Sequence, residues 1–234
     1  MRSRFAWAAA SVLALGLLSA DPALAQQGLN FSVGYLTVRG EDSRVEGDVL
    51  VANRELFLFD FDDFNTMSFG AEWLAPLGDY FEIGAGIGFT SRGVDTIYED
   101  FVRPDESEIE QELKLRIIPI TGTVRILPLG RHNAFQPYVG GGIGIYNWRY
   151  SETGDFIDFT LPDRPVFRAS YVDSGTALGP VAVFGARVLI GTNAFIGGEV
   201  RYQQAEGDLD ELDFLGPKID LGGFNYLATF GVRF

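Results

Sequence analysis

The last segment of the chain, residues 222–234, alternates between two kinds of side chain. Its apolar positions are Phe224, Tyr226, Ala228, Phe230, Val232 and Phe234, and the residues between them are mostly small or polar. Because successive side chains of a β-strand point to opposite faces, this pattern predicts a strand with one apolar and one polar face. Such a strand suits a wall with lipid outside and a wet interior. The alternation alone also fits a strand of a soluble β-sandwich.

The same alternation recurs in seven earlier segments, which are residues 29–38, 66–74, 80–91, 112–126, 135–148, 176–190 and 195–203. Short connections follow the second, fourth and sixth segments, at 75–79, 127–134 and 191–193. Long connections follow the first, third, fifth and seventh, at 39–65, 92–111, 149–175 and 205–221. Membrane barrels pair short turns on one side with long loops on the other, and bacterial ones have an even number of strands. We therefore predict an all-β fold, an eight-stranded antiparallel up-and-down transmembrane β-barrel with both of its ends on the short-turn side.

Composition excludes several other classes of protein. Hydrophobic residues make up 47% of the 234 residues, but the mean hydropathy of +0.10 is too low for a helical membrane protein. The chain has no cysteine, which excludes a disulfide framework and thiol chemistry. Its net charge of −14 lacks the basic footprint that nucleic-acid binding requires.

Residues 1–25 read as a secretory signal. Arg2 and Arg4 precede an apolar run over 5–20, and Ala23-Leu24-Ala25 offers a small-x-small cleavage site. The run is shorter than the roughly 20 residues that a membrane-spanning helix needs. We expect residues 1–25 to be a cleaved signal peptide and 26–234 to be an exported barrel domain.

The alternating strands and the aromatic residue that closes the last one resemble the small eight-stranded outer-membrane proteins of the OmpA, OmpX and OmpW type. Two stretches resemble them locally: 117–121 leading to 127–130, and 136–142. The resemblance implies a Gram-negative outer-membrane location and a C-terminal assembly signal formed by Tyr226, Phe230, Val232 and Phe234. It also implies a monomer without cofactor. The implied partners are outer-membrane lipid, lipopolysaccharide, the barrel-assembly machinery and periplasmic chaperones.

The inward face of the predicted barrel carries three acids and three bases near the short turns, which are Glu72, Glu82, Arg125, Arg187, Glu199 and Arg201. We expect Glu199 beside Arg187, and Glu82 beside Glu72 with Arg125 on the adjoining strand, with Tyr80, Tyr138 and Tyr146 adding bulk. Eight strands leave an interior just wide enough for side chains to fill, which favours a structural plug. Inward Gly84, Gly86, Gly88, Gly140, Gly142 and Gly144 leave space above this layer, so a narrow or gated polar path stays open as an alternative.

Two features of the outer end are candidates for contacts with other molecules. Lys114, Arg116 and Arg149 fall on the outward face at the loop ends of their strands, where cations can bind the phosphates of lipopolysaccharide. The alternative is that a β-bulge turns them into solvent. The long loops are acidic, but no spacing in them matches a calcium loop, so we predict a solvated surface and no metal site.

Catalysis is not expected. Some small outer-membrane barrels modify lipid A with a His, a Ser and a carboxylate, but the one histidine here, His132, lies in a predicted short turn without a serine. The sequence therefore favours a non-enzymatic role, either structural or in surface interaction through the long loops. A narrow channel of the OmpW type for small solutes is the alternative, and a lipid A-modifying enzyme is the least favoured one.

Overall fold

The structure is a computed structural model, and it describes residues 27–234. The predicted signal segment, 1–25, lies outside the described residues. Eight of the ten strands form a closed barrel: β1 (Gly28–Val38), β2 (Thr66–Leu77), β3 (Phe81–Val102), β4 (Glu108–Ile126), β5 (Phe135–Ile157), β6 (Val166–Ile190), β7 (Ala194–Gln203) and β10 (Gly223–Arg233). The other two, β8 (Glu206–Asp208) and β9 (Lys218–Asp220), pair with each other in the last loop.

The predicted all-β barrel is confirmed in strand number and order. Each barrel strand pairs antiparallel with its neighbours in the chain, and β1 closes the ring by pairing with both β2 and β10. Closure leaves no unpaired strand edge in this sheet. The three predicted short turns also lie between the predicted strands.

Strands β3, β5 and β6 are much longer than predicted, and β4 is slightly longer, because the alternation continues through two of the predicted loops with its polarity reversed. Between Ile118 and the short turn after Ile126, the outward residues of β4 are apolar and most inward ones are polar. In the half of β4 before Ile118, Ile117, Leu115 and Leu113 point inward and are buried, while Arg116 and Lys114 point outward. The predicted third and fifth strands end near this change, where the outer face ceases to be apolar, whereas the predicted fourth strand continues past it to 112. Most of 92–111 and 149–175 was therefore wrongly predicted as loop. The true tips of these two hairpins are 103–107 and 158–165.

The first and last loops fold into the open end of the extended barrel. In the first loop, Asp48 caps helix α1 (Val49–Arg54) by accepting hydrogen bonds from the backbone N–H groups of Leu50 and Val51. The cap stabilises the start of the short helix, in which Val49 and Leu50 are fully buried. A 3₁₀ turn (Phe61–Phe64) and residues Ile219 and Leu221 of the last loop complete the same apolar core. We call this core of loop residues and inward strand residues the lid.

Among residues 27–234, no helix is long and apolar enough to cross a bilayer.

Tyr80 was expected inside the barrel. It is 56% exposed, because it belongs to the turn that precedes β3 rather than to the strand.

Candidate functional site: a charged lumen beneath an apolar lid

The six inward charges predicted from the sequence come together in one cluster, which we call the charged layer. Arg125 Nη2 contacts the carboxylates of both Glu72 and Glu199, the latter at 2.9 Å. Arg201 donates to Glu199 Oε1 at 2.7 Å and reaches Glu72 at 3.4 Å. Five of the residues are at least nine-tenths buried, and the side chain of Arg201 is 16% exposed. Each buried charge is thus paired and hydrogen-bonded, which is the condition for keeping it away from water.

The positions inside the layer follow the prediction in two respects, since Arg125 lies directly opposite Glu82 and Glu199 lies diagonally next to Arg187. The ion pairs differ from it. Arg187 forms a two-pronged ion pair with Glu82, at 2.7 and 3.1 Å, and not with Glu199. Glu82 lies opposite Pro76 and Glu72 opposite Gly86, so the two acids are not cross-strand neighbours as expected. The expectation considered only adjacent strands, whereas an arginine in a narrow barrel spans the lumen and meets a carboxylate on the far wall.

Three more polar residues belong to the layer and were given no charge-pairing role from the sequence. The Tyr138 hydroxyl donates to Glu199 at 2.9 Å, and its ring faces the Arg125 guanidinium with 4.8 Å to the centroid. Gln136 Oε1 accepts from Arg187 Nε at 2.9 Å and from Arg233 Nη2 at 2.6 Å. Both Gln136 and Arg233 lie on the inward parity of their strands, so the alternation could have found them.

The space expected above the layer is filled. A Cβ atom added to Gly144 would lie 2.6 Å from the hydroxyl oxygen of Tyr146, and one on Gly185 would lie 2.6 Å from that of Tyr138. Gly144 and Gly185 therefore make room for aromatic rings that fold over them. Gly84 and Gly86 instead lie against polar side chains, and Gly140 and Gly142 lie against the backbone of β4. A cavity of about 30 Å³ borders the layer, lined by residues that include Asn30, Glu72 and Asn225. This volume holds about one or two water molecules and is far below that of a solute path.

The lid above it is held mainly by apolar contacts, and it also contains buried polar residues. Asn53 of α1 donates to Glu152 Oε1 at 2.6 Å, and the Tyr150 hydroxyl donates to the same oxygen at 2.9 Å. Burial raises the pKa of the Glu152 carboxyl and the pKa of the Tyr150 hydroxyl. Both residues lie beyond the point at which the outward face of β5 becomes polar.

The three predicted outer cations lie where the sequence placed them. Arg116 is directly opposite Arg149 in the β4–β5 ladder. Lys114 is the outward residue of β4 that comes before Arg116, nearer to the hairpin tip. All three are exposed. The pairing of β4 with both neighbours is regular through this region, since the one register shift lies between Ile97 and Val102. No bulge of the kind proposed as the alternative displaces them.

The remaining predicted residues lie on the outside or at the turns. Tyr226, Phe230 and Val232 point outward from β10, with Phe230 stacked on Phe31 at 5.4 Å, and Phe234 is 65% exposed after the strand. His132 Nε2 lies 3.0 Å from the carboxylate of Asp79, and both side chains are exposed in the short turns. Within 27–234, no three His, Cys, Asp or Glu side chains are grouped as a metal site.

No family model and no curated protein matches the chain. Among solved structures it is similar to the outer membrane protein OprG from Pseudomonas aeruginosa, with 13% identity, coverage of 90% of this chain and 94% of that one, and a TM-score of 0.48. It is also similar to Neisserial surface protein A, with 11% identity, coverage of 90% of this chain and 99% of that one, and a TM-score of 0.47. A third similar structure is the attachment invasion locus protein of Yersinia pestis, solved with a heparin analogue, with 14% identity, coverage of 89% and 99%, and a TM-score of 0.42. The barrel described above rests on its own strand ladder.

Proposed function

We propose that this chain is an integral outer-membrane barrel, closed along its axis, that acts at the cell surface through its extracellular loops and not as an enzyme. The observation that carries the proposal is the reversal of polarity along one continuous wall. Below the reversal the outside is apolar and the inside charged, and above it the outside is polar and the inside apolar. Such a wall stands in lipid up to the reversal and in water beyond it.

The size of the apolar outer band supports a bilayer around the lower part. Ile143, Leu178 and Phe184 are 63%, 70% and 66% exposed and belong to a band that encircles the barrel. Soluble monomers rarely expose a continuous apolar surface of this extent. On β4 the band covers 118–126, close to the roughly nine to eleven residues that a tilted strand needs to cross a bilayer.

Membrane insertion is tested by expressing the full chain and fractionating the envelope. We expect the mature protein in the outer-membrane fraction, with a gel mobility in SDS that changes only on boiling, because a closed barrel resists the detergent. Recovery as a freely soluble periplasmic monomer contradicts the proposal.

Closure along the axis is supported by two barriers in series, the charged layer and the lid, and by the small volume, about 30 Å³, of the cavity that borders the layer. Purified refolded protein in planar bilayers is expected to give no conductance steps above the lipid baseline. A matched protein with 41–64 replaced by a Gly-Ser linker tests whether the charged layer alone keeps the barrel closed. Conductance by the intact protein favours the narrow channel instead.

We also propose that Lys114, Arg116 and Arg149 bind lipopolysaccharide phosphates. They stand just above the apolar band, where phosphates of the outer leaflet lie, and arginine forks and a lysine charge suit that chemistry. Replacing all three with Gln should lower the lipopolysaccharide that co-purifies with the barrel and increase detergent sensitivity of the cells. The control replaces Glu108, Glu110 and Glu112 with Gln. These residues are exposed on the same face of β4, at the start of the strand and farther from the apolar band. Equal co-purification in the two triple variants contradicts this proposal.

The absence of catalysis is tested at the one histidine. His132 meets Asp79 on the exposed short-turn side, at the opposite end of the barrel from the lid. We expect a His132→Ala variant and the wild type to give identical lipid A profiles in the same host. A change that depends on His132 supports the enzyme.

A further inference from the structure

A cup opens at the extracellular end of the barrel, between the lid and the hairpin tips. Its volume is about 290 Å³, near the lower limit for pockets that hold small ligands. Strands β3, β5 and β6 contribute to its wall, and so do the first and last loops of the chain. The aromatic residues among the lining are Phe57, Tyr98, Phe156, Phe159, Phe167, Tyr171 and Phe214.

One buried carboxylate reaches this cup. Glu152 is only 4% exposed, and its Oε1 accepts both hydrogen bonds that the group receives, from Asn53 and Tyr150. Within the described part of the chain, it forms no ion pair with any Arg or Lys.

Two other buried acids of the same region show how unusual this is. Asp48 is paired with Arg44 at 2.8 Å, and Asp220 is paired with Arg39 at 3.0 Å. An unpaired buried charge is costly, so a carboxylate without a cation is suited to receive one from outside.

The walls around Glu152 favour a cation of a particular kind. Tyr171 lies directly opposite Glu152 in the β5–β6 ladder and meets Phe156 edge to face, with centroids 5.1 Å apart. Phe57 meets Tyr98 in the same way at 4.8 Å. Ring faces attract ammonium groups and their apolar substituents. Glu211 and Asp213 at the exposed rim add negative potential at the entrance.

We propose that this cup binds an organic ammonium ion carried on an apolar or aromatic body, with the ammonium beside Glu152 and the body against the rings. The inference goes beyond the proposed function, on which it relies only for the outward direction of the cup. Envelope fractionation and bilayer conductance do not depend on it, so the two can fail separately.

The test uses the full mature barrel in nanodiscs and benzyltrimethylammonium as the probe, with neopentylbenzene as its uncharged isostere. Calorimetric titration should show the cation binding at least about tenfold more tightly than the isostere, because only the cation pairs with the carboxylate. Glu152→Gln keeps an acceptor for Asn53 and Tyr150 and should remove that preference. Glu211→Gln, a rim carboxylate of the same cup, should change affinity for the cation by less than about threefold.

A ring variant keeps the test decisive if Glu152→Gln does not fold, as judged by heat-modifiable gel mobility. Tyr171→Leu retains the carboxylate and should weaken binding of the cation by about three- to tenfold through loss of one aromatic face. Equal affinity of wild type for the cation and the isostere overturns the proposal. So does an affinity for the cation that is unchanged in folded Glu152→Gln, or a lack of binding at millimolar concentration.

Discussion

The charged layer and the lid lie in the same barrel and are held together in opposite ways. In the layer, Arg125 forms ion pairs with Glu72 and Glu199 inside a wall whose outer surface is apolar. In the lid, Leu50, Phe64 and Trp148 pack together inside a wall whose outer surface is polar. The backbone ladder of β4 and β5 continues from one to the other without a break.

The difference shows that the surrounding solvent decides which side chains a strand can place inside. Where lipid lies outside, apolar side chains gain nothing by moving inward, and the interior is left to polar groups that satisfy one another. Where water lies outside, the hydrophobic effect again drives apolar side chains inward. One sheet therefore holds two kinds of core, and each should respond differently to substitution.

The largest expected effect is the loss of Arg125. Arg125→Met leaves Glu72 and Glu199 to share Arg201, so buried negative charge remains uncompensated. We expect a loss of about 3–5 kcal/mol in the free energy of unfolding. Urea unfolding of the refolded barrel in lipid vesicles, followed by tryptophan fluorescence, measures it.

Arg201→Met is the matched comparison, because Arg201 contacts the same two acids from a partly exposed position. It should cost clearly less than Arg125→Met. A loss of under about 1 kcal/mol for Arg125→Met would mean that the layer is hydrated well enough to tolerate an unpaired acid.

The next effect belongs to the lid. Leu50→Ala removes a fully buried side chain of α1 and should cost about 2–4 kcal/mol through the cavity that it leaves. Because the lid is separate from the charged layer, the variant should keep its heat-modifiable mobility while the 39–65 loop becomes sensitive to protease. Leu58→Ala, at a position 57% exposed in the same loop, is the control. The protease should cleave this variant as slowly as it cleaves the wild type. Loss of the folded gel band in Leu50→Ala would show that the two regions do not fold separately.

A smaller effect is expected where aromatic rings replace solvent in the lumen. Gly144→Ala places a methyl group against the ring of Tyr146 and should cost about 1–3 kcal/mol. Gly141→Ala, three residues earlier on the outward face of β5, meets only Val181 O at 3.4 Å and should be tolerated. The same urea unfolding experiment compares the two. Equal stability would mean that the lumen has spare room at the height of Gly144.

Much of the barrel could be read from the sequence, because lipid outside and a narrow lumen inside impose a strict alternation. The inward positions of Glu72 and Arg187 follow from that alternation alone. Their partners do not, since pairs such as Arg187 with Glu82 form across the lumen between strands that are not neighbours. The lid was missed because Leu113, Leu115 and Trp148 continue the pattern with its polarity reversed, and α1 is too short to show a helical period. Glu152 was missed for the same reason, since its segment was taken for a solvated loop.

The smallest effect is a pH dependence that separates Glu152 from the ion-paired acids. Burial raises the pKa of the Glu152 carboxyl in the folded protein, so the folded state holds its proton more tightly than the unfolded state does. The stability that this group contributes is therefore complete below the unfolded pKa and is lost as pH rises through the raised folded pKa. Glu152→Gln has no such loss and keeps an acceptor for Asn53 and Tyr150. Its stability should match that of the wild type near pH 4 and exceed it near pH 8, as measured by urea unfolding across that range.

The raised pKa values of neighbouring Tyr150 and Tyr98 keep both hydroxyls neutral through this window, so they do not imitate the effect. Glu211→Gln serves as the control, because it removes an exposed carboxylate from the rim of the same cup. A stability difference between Glu152→Gln and the wild type that stays constant with pH would show that the Glu152 carboxyl is solvated or already paired. Glu152 would then resemble Asp48, Asp220 and the acids of the charged layer, and the contrast between the two regions would reduce to their apolar contacts.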